Sequence, residues 1–267
     1  MAGRIQGGSD SSVRFEGLVR LYGVAGVERL RAARVGVIGI GGVGSWAVEA
    51  LARSGVGAID MVDLDSVCLS NVNRQLHALT TTVGQPKIEV MAERVRAIHP
   101  DCSIQTHSVF FTEATAVELL SLPFDFVLDA IDNRRHKCLL IALCKQQQTP
   151  LITVGGAGGR RDPTCIKLAD LNRTRDDPLL QQVRKKLRAE YGFTRNKKRK
   201  FGIPCVYSQE LPVYPQPDGS VCGTKAASSE GSLRLDCEQG YGSASFVTGA
   251  FGFAASAYIV EQIAKPF

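Results

Sequence analysis

The stretch from Arg34 to Asp65, RVGVIGIGGVGSWAVEALARSGVGAIDMVDLD, constrains the fold of this 267-residue chain more than any other. It opens with Val35-Gly36-Val37-Ile38, a short, β-branched run bounded by glycine, which predicts a strand buried on both faces. Gly39, Gly41, Gly42 and Gly44 follow. Apolar residues then recur at Val43, Trp46, Ala47, Ala50 and Leu51, the spacing of one helix face. A second apolar run, Ala58 to Val62, ends in Asp63-Leu64-Asp65.

Strand, glycine turn, helix, strand and acid make the first unit of a nucleotide-binding fold. Gly39 permits a tight turn, Gly41 lets a phosphate approach the backbone, and Gly44 lets the helix pack on the strand. The helix N-terminus offers unpaired N–H groups and the positive end of its dipole to an anion. Asp63 stands where an acid hydrogen-bonds a ribose hydroxyl. Both NAD and ATP fit this unit.

The polar run Ser66 to Gln75 follows the C-terminal end of the second strand, the edge where open α/β sheets bind ligands. Asn71, Arg74 and Gln75 are thereby placed to touch one, and Arg74 carries a planar fork suited to phosphate. Gly84-Gln85-Pro86-Lys87 starts a helix to about Ile98. Lys87 in its first turn opposes the dipole, so it either serves an anion or is a solvated lysine. Phe124 to Ile131 predicts a strand ending at Asp132-Asn133. Asp132 can hold Mg²⁺ beside a triphosphate or cap the helix Arg134 to Gln147. Strands are also predicted at Ser103–Thr106, Pro150–Val154 and Pro204–Val213, and helices at Thr112–Leu120 and Pro178–Tyr191. Arg14 to Arg34 has roughly helical spacing broken at Gly23, and either covers the site, reaches a neighbouring subunit or is a solvated amphipathic helix.

The formal charge of +6 is unevenly spread: Arg173 to Lys200 holds eleven basic and three acidic residues, leaving the rest slightly acidic. A basic helix (Arg184, Lys185, Lys186, Arg188) and a basic run (Lys197, Lys198, Arg199, Lys200) predict a polyanionic partner of the nucleic-acid kind. The eight cysteines form no C-x-x-C pair, so no zinc is expected, and a reducing cytoplasmic setting fits them. Residues 1–13 read as a disordered, polar N-terminus rather than a signal peptide. Tyr241 to Ile263 has membrane length, but its Gly, Ala and Ser content and lack of a basic flank predict close packing in a core or subunit interface.

The set Gly39-x-Gly41-Gly42-Val43-Gly44-Ser45, Asp63-x-Asp65, Ser70-Asn71-x-Asn73-Arg74-Gln75, Gly84-x-Pro86-Lys87 and Asp129-Ala-Ile-Asp132-Asn133 resembles the ubiquitin-activating-like superfamily of adenylating enzymes. Further runs look like its tRNA threonylcarbamoyladenosine dehydratase family: Arg20-Leu21-Tyr22-Gly23, Asn73 to Leu79, Gly155 to Gly159, and Asp236-Cys237 through Phe253. The resemblance implies an α/β, Rossmann-like, mainly parallel sheet with helices on both faces and a C-terminal extension. Residues 14–267 would form one domain, 14–154 holding ATP and 155–267 meeting tRNA and a dimer partner. ATP would adenylate the threonyl carboxylate of the modified nucleoside. The carbamoyl nitrogen would then displace AMP, and that intramolecular attack gains from proximity.

By the same resemblance Gly42 contacts nucleotide, Asp63 holds ribose, Asn71, Arg74 and Lys87 grip the triphosphate, and Asp132 holds Mg²⁺. Gly17 stands where related adenylyltransferases carry an arginine that reaches the partner's ATP, which leaves Arg14 or Arg20 for that role in a homodimer. Cys237 is a further candidate, although its neighbours Asp236 and Glu238 disfavour a thiolate. A cysteine desulfurase or its sulfur acceptor is a further partner the resemblance allows. Three competing readings are an adenylyltransferase for a ubiquitin-like sulfur carrier, an NAD-dependent oxidoreductase and a nucleotide-gated RNA-binding module. The first leaves the basic segment without a purpose, and the second leaves Arg74, Lys87 and Asp132 unexplained.

Overall fold

The computed structural model of the chain describes residues 13–223 and 241–265. Helix α1 (Glu16–Ala32) leads into strand β1 (Arg34–Ile38), and Gly23 breaks the helix with φ 71° and ψ 168°. Then come α2 (Gly44–Arg53), β2 (Ala58–Val62), α3 (Lys87–Ile98), β3 (Ser103–His107), α4 (Ala116–Leu120) and β4 (Phe126–Asp129). The chain continues through α5 (Arg134–Gln147), β5 (Leu151–Val154), β6 (Ile166–Asp170), α6 (Pro178–Glu190) and β7 (Pro204–Ser208). A small hairpin, β8 (Tyr214–Pro215) with β9 (Val221–Cys222), precedes the last helix, α7 (Ser245–Ala264).

Seven strands form one sheet in the order β3-β2-β1-β4-β5-β7-β6, and all pair in parallel except β6, which runs antiparallel to β7 at one edge. The parallel part is the doubly wound Rossmann arrangement, buried on both faces as its apolar strands require. Side chains of β1 alternate between the two cores. Val35 and Val37 join Ala47, Leu51, Met91, Phe251 and Ile259 on one face. Ile38 joins Leu119, Leu140, Leu180 and Leu187 on the other. Gly36 is small because the Phe124 ring lies where its side chain would be, at 3.0 Å from an added Cβ.

Several boundaries differ from expectation. The strand predicted over 124–131 is regular only from Phe126 to Asp129, because Asp129 turns its side chain to the Ile131 amide and ends the ladder. The helix predicted from Thr112 begins at Ala116, since Thr115 first folds its hydroxyl back onto the Phe110 carbonyl and the Thr112 amide. Pro86 caps α3 from outside, leaving Lys87 as the first helical residue. Strand β6 escaped sequence reading because its alternation is weak at a half-exposed edge. Helix α7 is long and apolar enough to cross a membrane by length and composition, yet half of it is buried in this fold. Its small residues are explained by contact: a Cβ on Gly252 would lie 2.7 Å from the Val43 carbonyl at the start of α2.

Candidate active site

The glycine turn joins β1 to α2 at the C-terminal edge of the sheet. Gly39 has φ 93°, and a Cβ on Gly44 would lie 1.8 Å from the Gly39 carbonyl oxygen, so helix and strand approach where no side chain fits. An added Cβ on Gly41 would meet nothing within 4 Å. Helix α2 starts with no side-chain cap, which leaves the positive end of its dipole open to an anion, although the Ser45 amide already donates to the Gly41 carbonyl at 3.1 Å.

Asp63 fixes this turn from β2. Its carboxylate accepts the Ile40 amide at 2.6 Å and the Asp65 amide at 2.9 Å. Burial pushes its pKa up, against the pull of those amides and of nearby Lys87. The next peptide, on the other side of Ile40, is held by His77, which sequence reading did not single out. Its Nε2 donates to the Ile40 carbonyl at 2.7 Å, so the proton sits on that nitrogen. Burial depresses the His77 pKa to about 4, and the ring is neutral near pH 7.

Lys87 is not a solvated lysine. Its side chain is 6 % exposed and its ammonium meets Asp65 at 2.8 Å, while Asp65 itself is 52 % exposed. Asp65 thus holds a buried cation just beyond the end of β2, near enough to Asp63 to draw its pKa down. Asn71 is buried and shapes the preceding 3₁₀ turn, accepting the Cys68 amide at 3.1 Å through its side chain. Arg74 follows on the same turn. Its guanidinium donates to the Ser70 carbonyl at 2.8 Å and to Asn73 at 3.1 Å, at the surface. Gln75 is buried, and its carboxamide oxygen lacks a partner among the described residues.

Beyond β4, the two readings of Asp132 separate. Asn133, not Asp132, caps α5, accepting the Arg135 amide at 2.9 Å and the His136 amide at 3.3 Å. The Asp132 carboxylate is exposed and has no partner among the described residues. A solvent-facing carboxylate beside an anion site suits Mg²⁺, which takes one or two carboxylates together with phosphate oxygens. Behind it lies Lys137, fully buried and also unforeseen. Its ammonium meets Asp129 at 3.0 Å and donates to the Ile131 carbonyl at 2.8 Å. The loop bearing Asp132 is therefore braced from within.

The remaining candidates stand apart. Arg20 is 74 % exposed on α1 and pairs with Glu16 one turn away. Cys237 lies outside the described residues. Of the basic helix, Arg184 donates to Thr174 and Arg188 to Asn172, so both brace the preceding loop, and Arg188 also lies over the Phe201 ring at 5.3 Å. Lys186 pairs with Glu190. Lys185 and the run Lys197, Lys198, Arg199 and Lys200 are exposed. A cleft of about 570 Å³ lined by Lys145, Tyr191, Phe193, Arg199 and Lys200 opens beside that run, away from the glycine turn.

The Rossmann-like sheet, with its glycine turn between β1 and α2, is the fold of a nucleotide-dependent enzyme of the adenylating class. The chain belongs to the ThiF family, whose sequence pattern matches residues 16–255. Within that family it is similar over nearly its whole length to tRNA threonylcarbamoyladenosine dehydratases. It is 47% identical to the one from Escherichia coli (strain K12) over 250 residues, 94% of this chain and 93% of that protein. The Haemophilus influenzae protein of that name is 45% identical over 252 residues, 94% of each chain. The solved structure of the E. coli dehydratase in complex with ATP matches with a TM-score of 0.84 at 42% identity, covering 96% of each chain.

Proposed function

We infer that this chain is an ATP-dependent tRNA threonylcarbamoyladenosine dehydratase, which closes the threonylcarbamoyl group beside the anticodon into a hydantoin ring. The observation that carries this reading is the nucleotide-binding edge of the sheet, with Asp63, Arg74, Lys87 and Asp132 in the segments that follow β2 and β4, in a chain 47% identical to the E. coli dehydratase over 94% of its length. A carboxylate is a poor electrophile because oxide is a poor leaving group. Its oxygen attacks the α-phosphorus of ATP and expels pyrophosphate. The acyl-adenylate so formed is attacked by the carbamoyl nitrogen, which loses its proton as AMP departs. One water is lost from the nucleoside overall.

In this scheme Asp63 holds the ribose, and Gly39, Gly41, Gly42 and Gly44 admit the phosphates. Asn71 and Gln75 shape the pocket wall. Arg74 and Lys87 grip the triphosphate and neutralise charge that shifts onto it in the transition state. Asp132 would hold Mg²⁺, which when bound screens the phosphate charge. Asp65 orients Lys87, and Asn133 frees Asp132 by taking the cap position.

The tRNA lies along α6. Its N-cap, Asp177, accepts the Gly156 amide at the edge of the sheet, and its far end carries the basic surface. Thirteen residues of helix separate the two by about 20 Å. Lys185 and Lys197–Lys200 meet its phosphates, while Arg184 and Arg188 hold their scaffold. A homodimer is supported by apolar side chains left exposed on α1 and α7, among them Leu21, Val24, Phe246 and Phe253. Arg20 then points to the partner's ATP, and the site of action is the cytoplasm, with tRNA. A cysteine desulfurase or sulfur acceptor remains a partner to be sought by pull-down.

The test is mass spectrometry of nucleosides from tRNA carrying threonylcarbamoyladenosine, incubated with the protein and Mg-ATP. The nucleoside should lose one water mass as AMP accumulates, and neither should occur with Lys87→Ala or Asp132→Ala. An unchanged nucleoside, with AMP formed only when a Gly-Gly-ended carrier protein is added, would establish a sulfur-carrier adenylyltransferase instead.

A further inference from the structure

The carbonyl oxygen of Arg74 is held from two sides. Trp46 Nε1 on α2 donates to it at 3.0 Å. Thr248 Oγ1, on α7 and 174 positions away in sequence, lies 3.0 Å from it, nearer than the Ala244 and Ser245 carbonyls of its own helix at 3.3 Å, so its one proton is best placed on the Arg74 oxygen. The preceding residue is tied to the same region, since Asn73 Nδ2 donates to the Ser243 carbonyl at 2.8 Å. Thr248 is buried, and its methyl lies against the glycine turn: a Cβ added to Gly42 would stand 3.2 Å from Thr248 Cγ2 and 3.6 Å from Arg74 Cγ. Gly249, next along α7, packs on the Trp46 indole, with 3.5 Å from an added Cβ to the ring. The oxygen of the 74–75 peptide is thus approached by donors from two helices.

We propose that Thr248 is a positioning residue for adenylation, which with Trp46 fixes the Arg74 backbone so that the guanidinium meets the triphosphate beside Gly42. The inference rests on Arg74 being a triphosphate contact. The guanidinium carbon lies five bonds from Cα, so any rotation at Cα is amplified at the charge and a free peptide plane would scatter the guanidinium. The turn Leu69–Asn71 holds the amide side of that peptide, the Gln75 N–H donating to the Asn71 carbonyl at 2.9 Å, and the two helices hold its oxygen. The last helix of the chain is therefore a wall of the ATP site and not only packing.

The test is equilibrium binding of ATP and of AMP to Thr248→Val, Thr248→Ser and Arg74→Ala, with a melting curve for each. Thr248→Val keeps the shape and removes the donor. It should bind ATP about tenfold more weakly, the effect of stranding one buried carbonyl bond, while AMP affinity stays that of the wild type. Thr248→Ser should restore ATP affinity. Equal ATP affinity in Thr248→Val and wild type, while Arg74→Ala loses it, overturns the role of Thr248. Equal loss of ATP and AMP in Thr248→Val overturns it too, since that marks general damage to the site. Wild-type ATP affinity in Arg74→Ala would instead remove the triphosphate role of Arg74 itself. Should Thr248→Val not fold, Trp46→Phe withdraws the second donor from the same oxygen, and its ATP and AMP affinities are read in the same way.

Discussion

Replacing Lys137 by methionine tests how the loop bearing Asp132 is held. Lys137 and Asp129 have side chains with no exposed surface. The ammonium is satisfied by the Asp129 carboxylate at 3.0 Å, the Ile131 carbonyl at 2.8 Å and the Asp129 carbonyl at 3.4 Å. The carboxylate also accepts the Thr153 hydroxyl at 2.6 Å and the Ile131 amide at 3.1 Å. Methionine fits the volume but leaves a buried anion without its cation, which costs about 3–5 kcal/mol. Burial already holds the Asp129 pKa above the ordinary carboxylate range, with Lys137 the foremost influence pulling it down. Without Lys137 it rises further. The native variant then keeps a proton that the unfolded chain has released, so its stability falls as pH rises, by about 1.4 kcal/mol per pH unit between the two pKa values. Urea denaturation followed by circular dichroism should show Lys137→Met least destabilised near pH 5 and most at pH 8. The double variant Asp129→Asn with Lys137→Met should recover over half the loss and show a flatter profile. A loss independent of pH, or a double variant as unstable as the single one at pH 8, would refute the reasoning.

His77 gives the opposite sign. Its folded pKa of about 4 lies below the ordinary 6.5, so the unfolded chain binds a proton that the native chain does not. The stability it contributes is complete above about pH 6.5 and is lost as pH falls toward 4, by about 3 kcal/mol at most. His77→Gln should flatten the denaturation profile over that window, and an undiminished acid sensitivity would count against it. Replacing Lys197, Lys198, Arg199 and Lys200 together by alanine should weaken tRNA binding at low salt. The plot of log affinity against log salt should also become less steep, by up to about one unit for each phosphate that is no longer neutralised. An unchanged slope in filter binding would remove that surface from the tRNA interface.

Local chemistry alone determined the first βαβ unit. Glycine is the residue that lets a helix start where a Cβ would lie 1.8 Å from a carbonyl oxygen, and apolar runs of about five declare strands buried on both faces. Some candidate ATP residues were legible for a related reason: Asp63 and Asp132 stand just after the ends of the parallel strands β2 and β4, and sheet topology brings those ends to one edge, while Arg74 and Lys87 lie in the segment that connects β2 to α3 and at the start of that helix. The folded structure decided which charges are free. Nothing in RNKKRK or RKKLRAEY tells that Arg184 and Arg188 turn inward while Lys197 to Lys200 face water, because the choice lies with Thr174 and Asn172 on another loop. Nor does sequence tell that Asn133 takes the helix cap and leaves Asp132 unpaired, since both are good caps and adjacent. His77, Lys137 and Thr248 act through backbone carbonyls at Ile40, Ile131 and Arg74. A carbonyl has no sequence signature, and a partner 174 positions away becomes a neighbour only when α7 packs on α2.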